Sequence, residues 1–439
     1  SSEKYVAEKK HRTVPLADSI THIRGYPTKL TLYQIEASPY WWVRYYIDGR
    51  IIKRTTRTAS KREAIEFAKR FYDDINLKRA QGQSPVFQTS FASAASNMLK
   101  SMTAQLERGE IVKQTLDMAT YRINNSILPF FGSKDVNTIY YEDLEQYLAA
   151  ISKKELQLSP STISTYMKLV RKVLTYSYKQ RILKTMPHFP TVRTETNARG
   201  YFNADEYRKL WNRARALIGK RFEYRKLTDK EGNELPGTYF PEGKTKDGRL
   251  IRKVEITQEL VELIIFMVNS FIRPTDIKNL QHKHVDIIDG ESKYLRLNLP
   301  KSKKHDKPIV TLAMAVEVYK RLTKLNADSK RGTSDEDYVF YPNYPKRDYA
   351  LKLLQRQFDV LMWNLGMDTD LHGNPRTIYS LRHTCIMLRL TESEGMDLLT
   401  LARNARTSPE MIDKHYASQL AGEQNIEMLQ SKRRKPFKE

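Results

Sequence analysis

YSLRHTCIMLRL, residues 379–390, places Arg382 and His383 side by side at the start of an apolar helical run. A guanidinium left unpartnered in an apolar interior is costly, so Arg382 has a structural counter-charge or an anionic ligand to meet. The rest of the chain bears on that choice. Lys and Arg number 75 against 51 Asp and Glu, a net charge of +24 over 439 residues. That excess goes beyond solubility and points to a polyanionic partner, nucleic acid first and an anionic membrane surface second.

Other classes recede on equally simple grounds. No apolar run reaches the roughly 20 residues of a membrane span. The strongest, LVELIIFMVNSFI (260–272), holds Glu262 and Asn269 and reads as a core helix. The charged opening SSEKYVAEKK has no apolar stretch of a secretory signal, and the single Cys385 rules out an intrachain disulfide. The expected location is cytoplasmic. His282 and His284 in QHKHVD are the nearest approach to zinc-ligand spacing and are expected on the surface of a loop-to-strand junction.

A mainly α, multidomain chain is expected. Residues 1–24 form an amino-terminal extension. Within 25–80, YWWVRYYIDGRIIKR (40–54) sets two β-forming runs around Asp48-Gly49, a hairpin signal. A helix follows, with Ser60 and Glu63 as a capping box and an apolar face of Ala64, Ile65, Ala68, Phe71, Tyr72 and Ile75. Arg44, Arg50, Lys53 and Arg54 are candidate DNA contacts of this basic ribbon; a solvated sheet face is the alternative. AQGQSPV (80–86) reads as a linker. Residues 88–185 read as helical throughout. Their clearest helix starts at Ser159-Pro160 and turns Lys168, Arg171 and Lys172 outward, as phosphate contacts or a wet face.

KTMPHFPTVRTETNARG ends in a boundary at 186–200, and 201–425 is a second large unit. It opens on a helix at Asp205–Leu217. A polar, Gly-rich insert at about 219–253 follows, expected as a surface loop. After the core helix at 257–270, three short strands come at 284–288, 294–299 and 307–312. The basic end, 426–439, is a tail.

Four features stand in order within this unit: Arg273 in FIRPTDIKNL, Lys303 in the KSKK turn, Arg382-His383, and Tyr416 in SPEMIDKHYAS. As an ordered set they resemble the tyrosine recombinases, or phage integrases. Those enzymes carry Arg in R-x-x-E/D, Lys in a hairpin turn, H-x-x-R-H on a helix, and a His or Trp about nine residues before a nucleophilic Tyr. Arg273 with Asp276, Lys303 (Lys301 as the other candidate), Arg382-His383 and Tyr416 fit. The first histidine falls on Tyr379 and the His/Trp position on Thr407. The resemblance implies a mixed α+β catalytic domain with a small antiparallel three-stranded sheet at 201–425. It also implies a core-type DNA-binding domain at 88–185 and an arm-type domain at 25–80.

The implied chemistry is transesterification of a DNA phosphodiester. Tyr416 would attack phosphorus, and the 3′-phosphotyrosyl bond would conserve the energy for rejoining, without ATP. Arg273 and Arg382 would meet the charge gathering on the non-bridging oxygens, and Asp276 would hold Arg273. Lys303 would protonate the leaving oxygen, with His383, Tyr379 and Thr407 in supporting places. No metal or cofactor is expected. The implied partners are double-stranded DNA and further copies of the chain, as a tetramer on two paired sites. The rivals are a catalytically inactive DNA-binding relative, a strand-passing topoisomerase, and an unrelated basic assembly protein.

Overall fold

The computed structural model describes residues 13–47, 49–81, 90–195, 199–301, 305–393 and 396–416. The chain divides into two compact units, Ser1–Glu195 and Thr196–Glu439.

The first unit holds two cores. Strands β1 (Thr21–His22), β2 (Leu30–Ile35), β3 (Ser38–Ile47) and β4 (Arg50–Thr55) form an antiparallel sheet in chain order. Helix α1 (Lys61–Ala80) covers one face, burying Ala64, Ala68, Phe71 and Ile75 against Leu30, Leu32, Val43 and Ile52. The expected hairpin is there: Ile47 pairs with Arg50, and Gly49 takes φ 75°. Asp48 and the Arg50 side chain lie outside the described residues. Ser60 caps α1 through Glu63 N–H at 3.5 Å. The Glu63 carboxylate does not close the box on Ser60; it accepts from the Thr58 hydroxyl at 2.5 Å. Register separates the basic side chains. Arg44 pairs with Lys53 on the open face, whereas Arg54 pairs with Val43, in the row that faces α1.

The second core of this unit is built from α2 (Phe91–Glu107), α3 (Lys113–Arg122), α4 (Leu128–Phe131), α5 (Tyr141–Ile151) and α6 (Pro160–Lys179). A π-helical turn, Ile123–Ile127, joins α3 to α4. Pro129 has no N–H and its ring would strike the carbonyl one turn back, so a widened turn relieves the crowding. Ser159 caps α6 at Thr162 N–H, 3.2 Å away, with Pro160 in the first turn. Ile163, Met167, Val170, Val173 and Leu174 point inward and Lys168, Arg171 and Lys172 are exposed. The Arg171 guanidinium lies over the Phe189 ring at 4.1 Å.

The second unit opens with α7 (Ala204–Ala216), capped by reciprocal bonds between Asn203 and Glu206. The stretch expected as a surface loop instead forms an antiparallel sheet: β5 (Arg221–Lys226), β6 (Thr238–Pro241) and β7 (Arg249–Glu255), in the order β6-β5-β7. The alternating pattern explains it. Phe222 and Tyr239 turn to Trp363, with ring centroids 5.9 and 6.0 Å away, while Glu223 on the other face pairs with Arg225 at 2.8 Å.

Helix α8 (Gln258–Val268) is the centre of the core, buried from Glu259 to Val268. Its two acids are paired, Glu259 with Arg331 at 2.5 Å and Glu262 with Arg321 at 2.9 Å. After α9 (Pro274–Asn279), the strands β8 (Val285–Asp289), β9 (Lys293–Leu297) and β10 (Ile309–Val310) form an antiparallel sheet in the order β10-β9-β8. His282 is not a surface residue: it is buried, and its Nδ1 lies 2.7 Å from the Tyr319 hydroxyl. The helices α10 (Ala313–Asp328), α11 (Arg347–Leu365), α12 (Tyr379–Glu392), α13 (Leu398–Asn404) and α14 (Pro409–His415) complete the unit. Among the described residues no helix is long and apolar enough to cross a membrane.

Candidate active site

Arg382 stands in the first turn of α12 and is 1% exposed. Backbone carbonyls meet it, not a carboxylate. Its Nη1 donates to the Phe271 carbonyl and its Nη2 to the Ala405 carbonyl, the latter at 2.7 Å. Each carbonyl is turned inward by the local backbone. Phe271, just past α8, has φ 58°, a left-handed conformation costing a bulky residue about 1–3 kcal/mol. Ala405 caps the carboxyl end of α13, where the last carbonyls have no donor within the helix.

The same turn holds the second arginine. Arg406, at φ 53°, offers its carbonyl to Arg273 Nη2 at 2.9 Å. Arg273 immediately precedes Pro274, the first residue of α9, and its backbone N–H donates to Asp276 Oδ2 at 2.8 Å. Asp276 therefore fixes the main chain of Arg273, not its guanidinium. Among the described residues no carboxylate is hydrogen-bonded to either guanidinium, and Arg382 Nε is buried without a partner. Burial and then the neighbouring Arg273 charge depress the Arg382 pKa. A guanidinium keeps its proton in such surroundings, so two cations converge with little neutralisation.

Tyr416 directly follows α14, whose first turn Ser408 caps, and is 6% exposed. Its ring lies 4.2 Å from that of His383, centroid to centroid, with the planes at 40°. Tyr379, half-buried, meets the other ring neighbour of this group, His383, at 6.0 Å. Burial raises the Tyr416 hydroxyl pKa; the adjacent Arg382 opposes it, Tyr379 adds to it, and Arg273 lowers it slightly. Burial, then Arg199, His415 and Arg382, drive the His383 pKa down to about 3. His383 is thus neutral at physiological pH. Both its ring nitrogens are buried without a partner among the described residues.

The fold therefore gathers Arg273, Asp276, Tyr379, Arg382, His383 and Tyr416 from three helices of one unit and their caps. Lys303 lies outside the described residues; Lys301 is described and exposed. Thr407 belongs to the same turn as Arg406, with its N–H on the Ala402 carbonyl at 3.0 Å. Two arginines at the site escape sequence reading. Arg406, 2% exposed, reaches the carbonyls of Pro300 and His305 at 3.0 and 2.5 Å. Arg199 lays its guanidinium over the Tyr379 ring at 4.3 Å. Neither Arg406, in the mixed stretch LARNAR, nor Arg199 carries a local signal. The proposed DNA contacts Arg44, Lys53, Arg54, Lys168, Arg171 and Lys172 all belong to the first unit, as does Arg50. No cluster of metal-ligating side chains occurs among the described residues.

Two fixed guanidiniums beside a phenol suit an electrophilic centre that carries anionic oxygens and is attacked by the phenol oxygen. Comparisons with known proteins bear on the fold. Residues 112–192 match the phage integrase SAM-like domain. No curated protein matches the chain. Among solved structures, a fragment of the Tn1549 transposon integrase in complex with a circular intermediate DNA aligns at TM-score 0.53 and 13% identity, covering 78% of this chain and 99% of that one. A second, in complex with transposon right end DNA, aligns at 0.52 and 14%, covering 77% and 98%. A lambda integrase fragment, a dimer bound to a COC′ core site, aligns at 0.50 and 13%, covering 74% and 94%. The chain has the fold of these tyrosine-recombinase integrases.

Proposed function

We propose that the chain is a tyrosine-type site-specific DNA recombinase, cutting and rejoining strands through a 3′-phosphotyrosyl bond. The observation that carries this reading is the placement of Tyr416 against Arg382 and His383 in one chain, with Arg273 tied to the same turn. Tyr416 Oη attacks phosphorus, a P–O bond to tyrosine forms, and the bond to the 5′ oxygen breaks. The 5′ hydroxyl of another strand then reverses the step. Arg382 and Arg273 supply rigid bidentate donors to the non-bridging oxygens, where negative charge accumulates. The Tyr416 phenol stays protonated in the free protein, since its pKa lies above the usual tyrosine value. The proton leaves as the attack proceeds. His383, neutral and nearly unable to accept a proton at physiological pH, serves as a packing surface for the phenol ring. A lysine of the 301–303 segment would protonate the leaving oxygen.

The proposed partner is double-stranded DNA. Affinity should fall steeply with salt as phosphate contacts release counterions. Arg44 and Lys53 on the open sheet face and Lys168 and Lys172 on α6 are the contacts we propose in the first unit. Exchanging the strands of two duplexes takes four cleavages. With one Tyr416 per chain, four copies on two paired sites supply them.

Supercoiled and end-labelled DNA, including the DNA flanking the gene, is incubated with the protein in EDTA and quenched in detergent. The wild type should become linked to a 3′ end and Tyr416→Phe should not. Tight, specific binding without any adduct would instead establish a DNA-binding relative that lacks the chemistry, with Tyr379 and Thr407 the first positions to revert to histidine.

A further inference from the structure

We propose that Arg199 is a third phosphate-binding arginine of this site, its guanidinium presented on the ring of Tyr379. The inference rests on the recombinase reading and adds a residue to it. Three observations meet here. The Arg199 guanidinium stacks on the Tyr379 ring at 4.3 Å, and Tyr379 borders His383, the neighbour of Tyr416. Arg199 is exposed, and among the described residues no carboxylate pairs with it. It also lines an open cleft of about 610 Å³ with Tyr379, with Thr275 in the first turn of the helix that Arg273 precedes, and with one carboxylate, Asp359.

Tyr379 is the platform of the stack. A phenol at that position brings a donor but no positive charge. A cation stacked on its face brings that charge back, and stacking fixes the plane of the guanidinium without using its N–H donors. Arg199 already acts electrostatically on the centre: it depresses both His383 and His415. Unlike Arg382 and Arg273, it makes no hydrogen bond to a carbonyl among the described residues, so its five donors remain for an anion. The ligand is a phosphodiester of DNA, and the specific phosphate is the scissile one.

The test compares wild type, Arg199→Ala, Arg199→Lys and Tyr379→Ala in single-turnover adduct formation. Each is assayed on two DNA substrates, one with an ordinary scissile phosphate and one with a methylphosphonate there, which removes the charge on a non-bridging oxygen. Arg199→Ala should slow adduct formation about 10- to 100-fold on the phosphodiester. On the methylphosphonate the gap between variant and wild type should shrink to about two-fold or less, since no anionic oxygen is left to lose its partner. Arg199→Lys should stay slow, lacking the planar stack, and Tyr379→Ala should mimic it. A merely structural loss would slow both substrates equally. Wild-type rates for Arg199→Ala, or an equal defect on both substrates, would overturn the assignment. Absence of any adduct with the wild type would instead remove the recombinase reading itself.

Discussion

The imidazole of His383 packs against the phenol of Tyr416, 4.2 Å between ring centroids with the planes tilted by 40°, and neither imidazole nitrogen is bonded to a described residue. A histidine so placed invites assignment as the proton acceptor for the nucleophile. Its pKa of about 3 argues the reverse.

The first prediction follows from that depressed pKa. The unfolded chain binds the His383 proton below about 6.5, whereas the folded chain refuses it until about 3. Stability from this group is therefore full above 6.5 and is lost as pH falls toward 3, by up to about 1.4 kcal/mol per pH unit. Urea unfolding at pH 7 and pH 5 should show the wild type losing about 2 kcal/mol more than His383→Gln over that interval. Equal losses would place the imidazole in contact with water. The rate of adduct formation should show no inflection near pH 6.5 that His383→Gln abolishes.

Arg382→Lys tests the carbonyl cradle. An ammonium cannot span the carbonyls of Phe271 and Ala405 as the guanidinium fork does, so one buried acceptor goes unmet. The expected cost is about 1–3 kcal/mol in thermal or urea unfolding, with adduct formation down about 10²- to 10³-fold. Unchanged stability with the same loss of rate would assign the carbonyls no structural role.

Arg406→Ala separates what the side chain does from what its main chain does. The carbonyl that receives Arg273 remains, and the bonds to Pro300 and His305 vanish. Amide hydrogen exchange at Lys301 and His305 should quicken by about tenfold or more, with α12 amides unaffected, and stability should fall by about 1–3 kcal/mol. Unaltered exchange there would show that the guanidinium does not brace this stretch.

The Glu262–Arg321 pair offers a check remote from the site. Glu262 is buried on the core helix and Arg321 is partly in water, which screens the pair. Glu262→Ala should cost about 2 kcal/mol in urea unfolding, and the double variant with Arg321→Ala should recover part of that. Strict additivity would mean that the two side chains do not interact.

Much of this architecture was visible in local pattern. The Ser159-Pro160 start, the apolar 260–268 run and the Asp-Gly turn each announce themselves within a few residues, because caps, periodicity and turns are local physics. The β5–β7 sheet was missed since its charged turns outweighed two short aromatic alternations whose partner, Trp363, is more than a hundred residues away. Five candidate residues that the fold brings together, Arg273, Tyr379, Arg382, His383 and Tyr416, can be picked out of the sequence by their order. Arg406 and Arg199 cannot, since their roles come from a left-handed turn and a ring stack. The carbonyl partners of Arg382 have no sequence signature either, because backbone carbonyls look alike in every sequence.

The atoms that receive Arg382 and Arg273 belong to the main chain at Phe271, Ala405 and Arg406. Replacing a side chain at these three places leaves every acceptor present. At Phe271 and Ala405 the acceptor moves only when a torsion angle changes, so these places tolerate drift in identity and are brittle to insertion, deletion or proline, whereas the Arg406 side chain also holds Pro300 and His305. A single residue added between Asn404 and Thr407 would rotate both acceptors away at once, and a library of such insertions would map the pocket more sharply than one of substitutions.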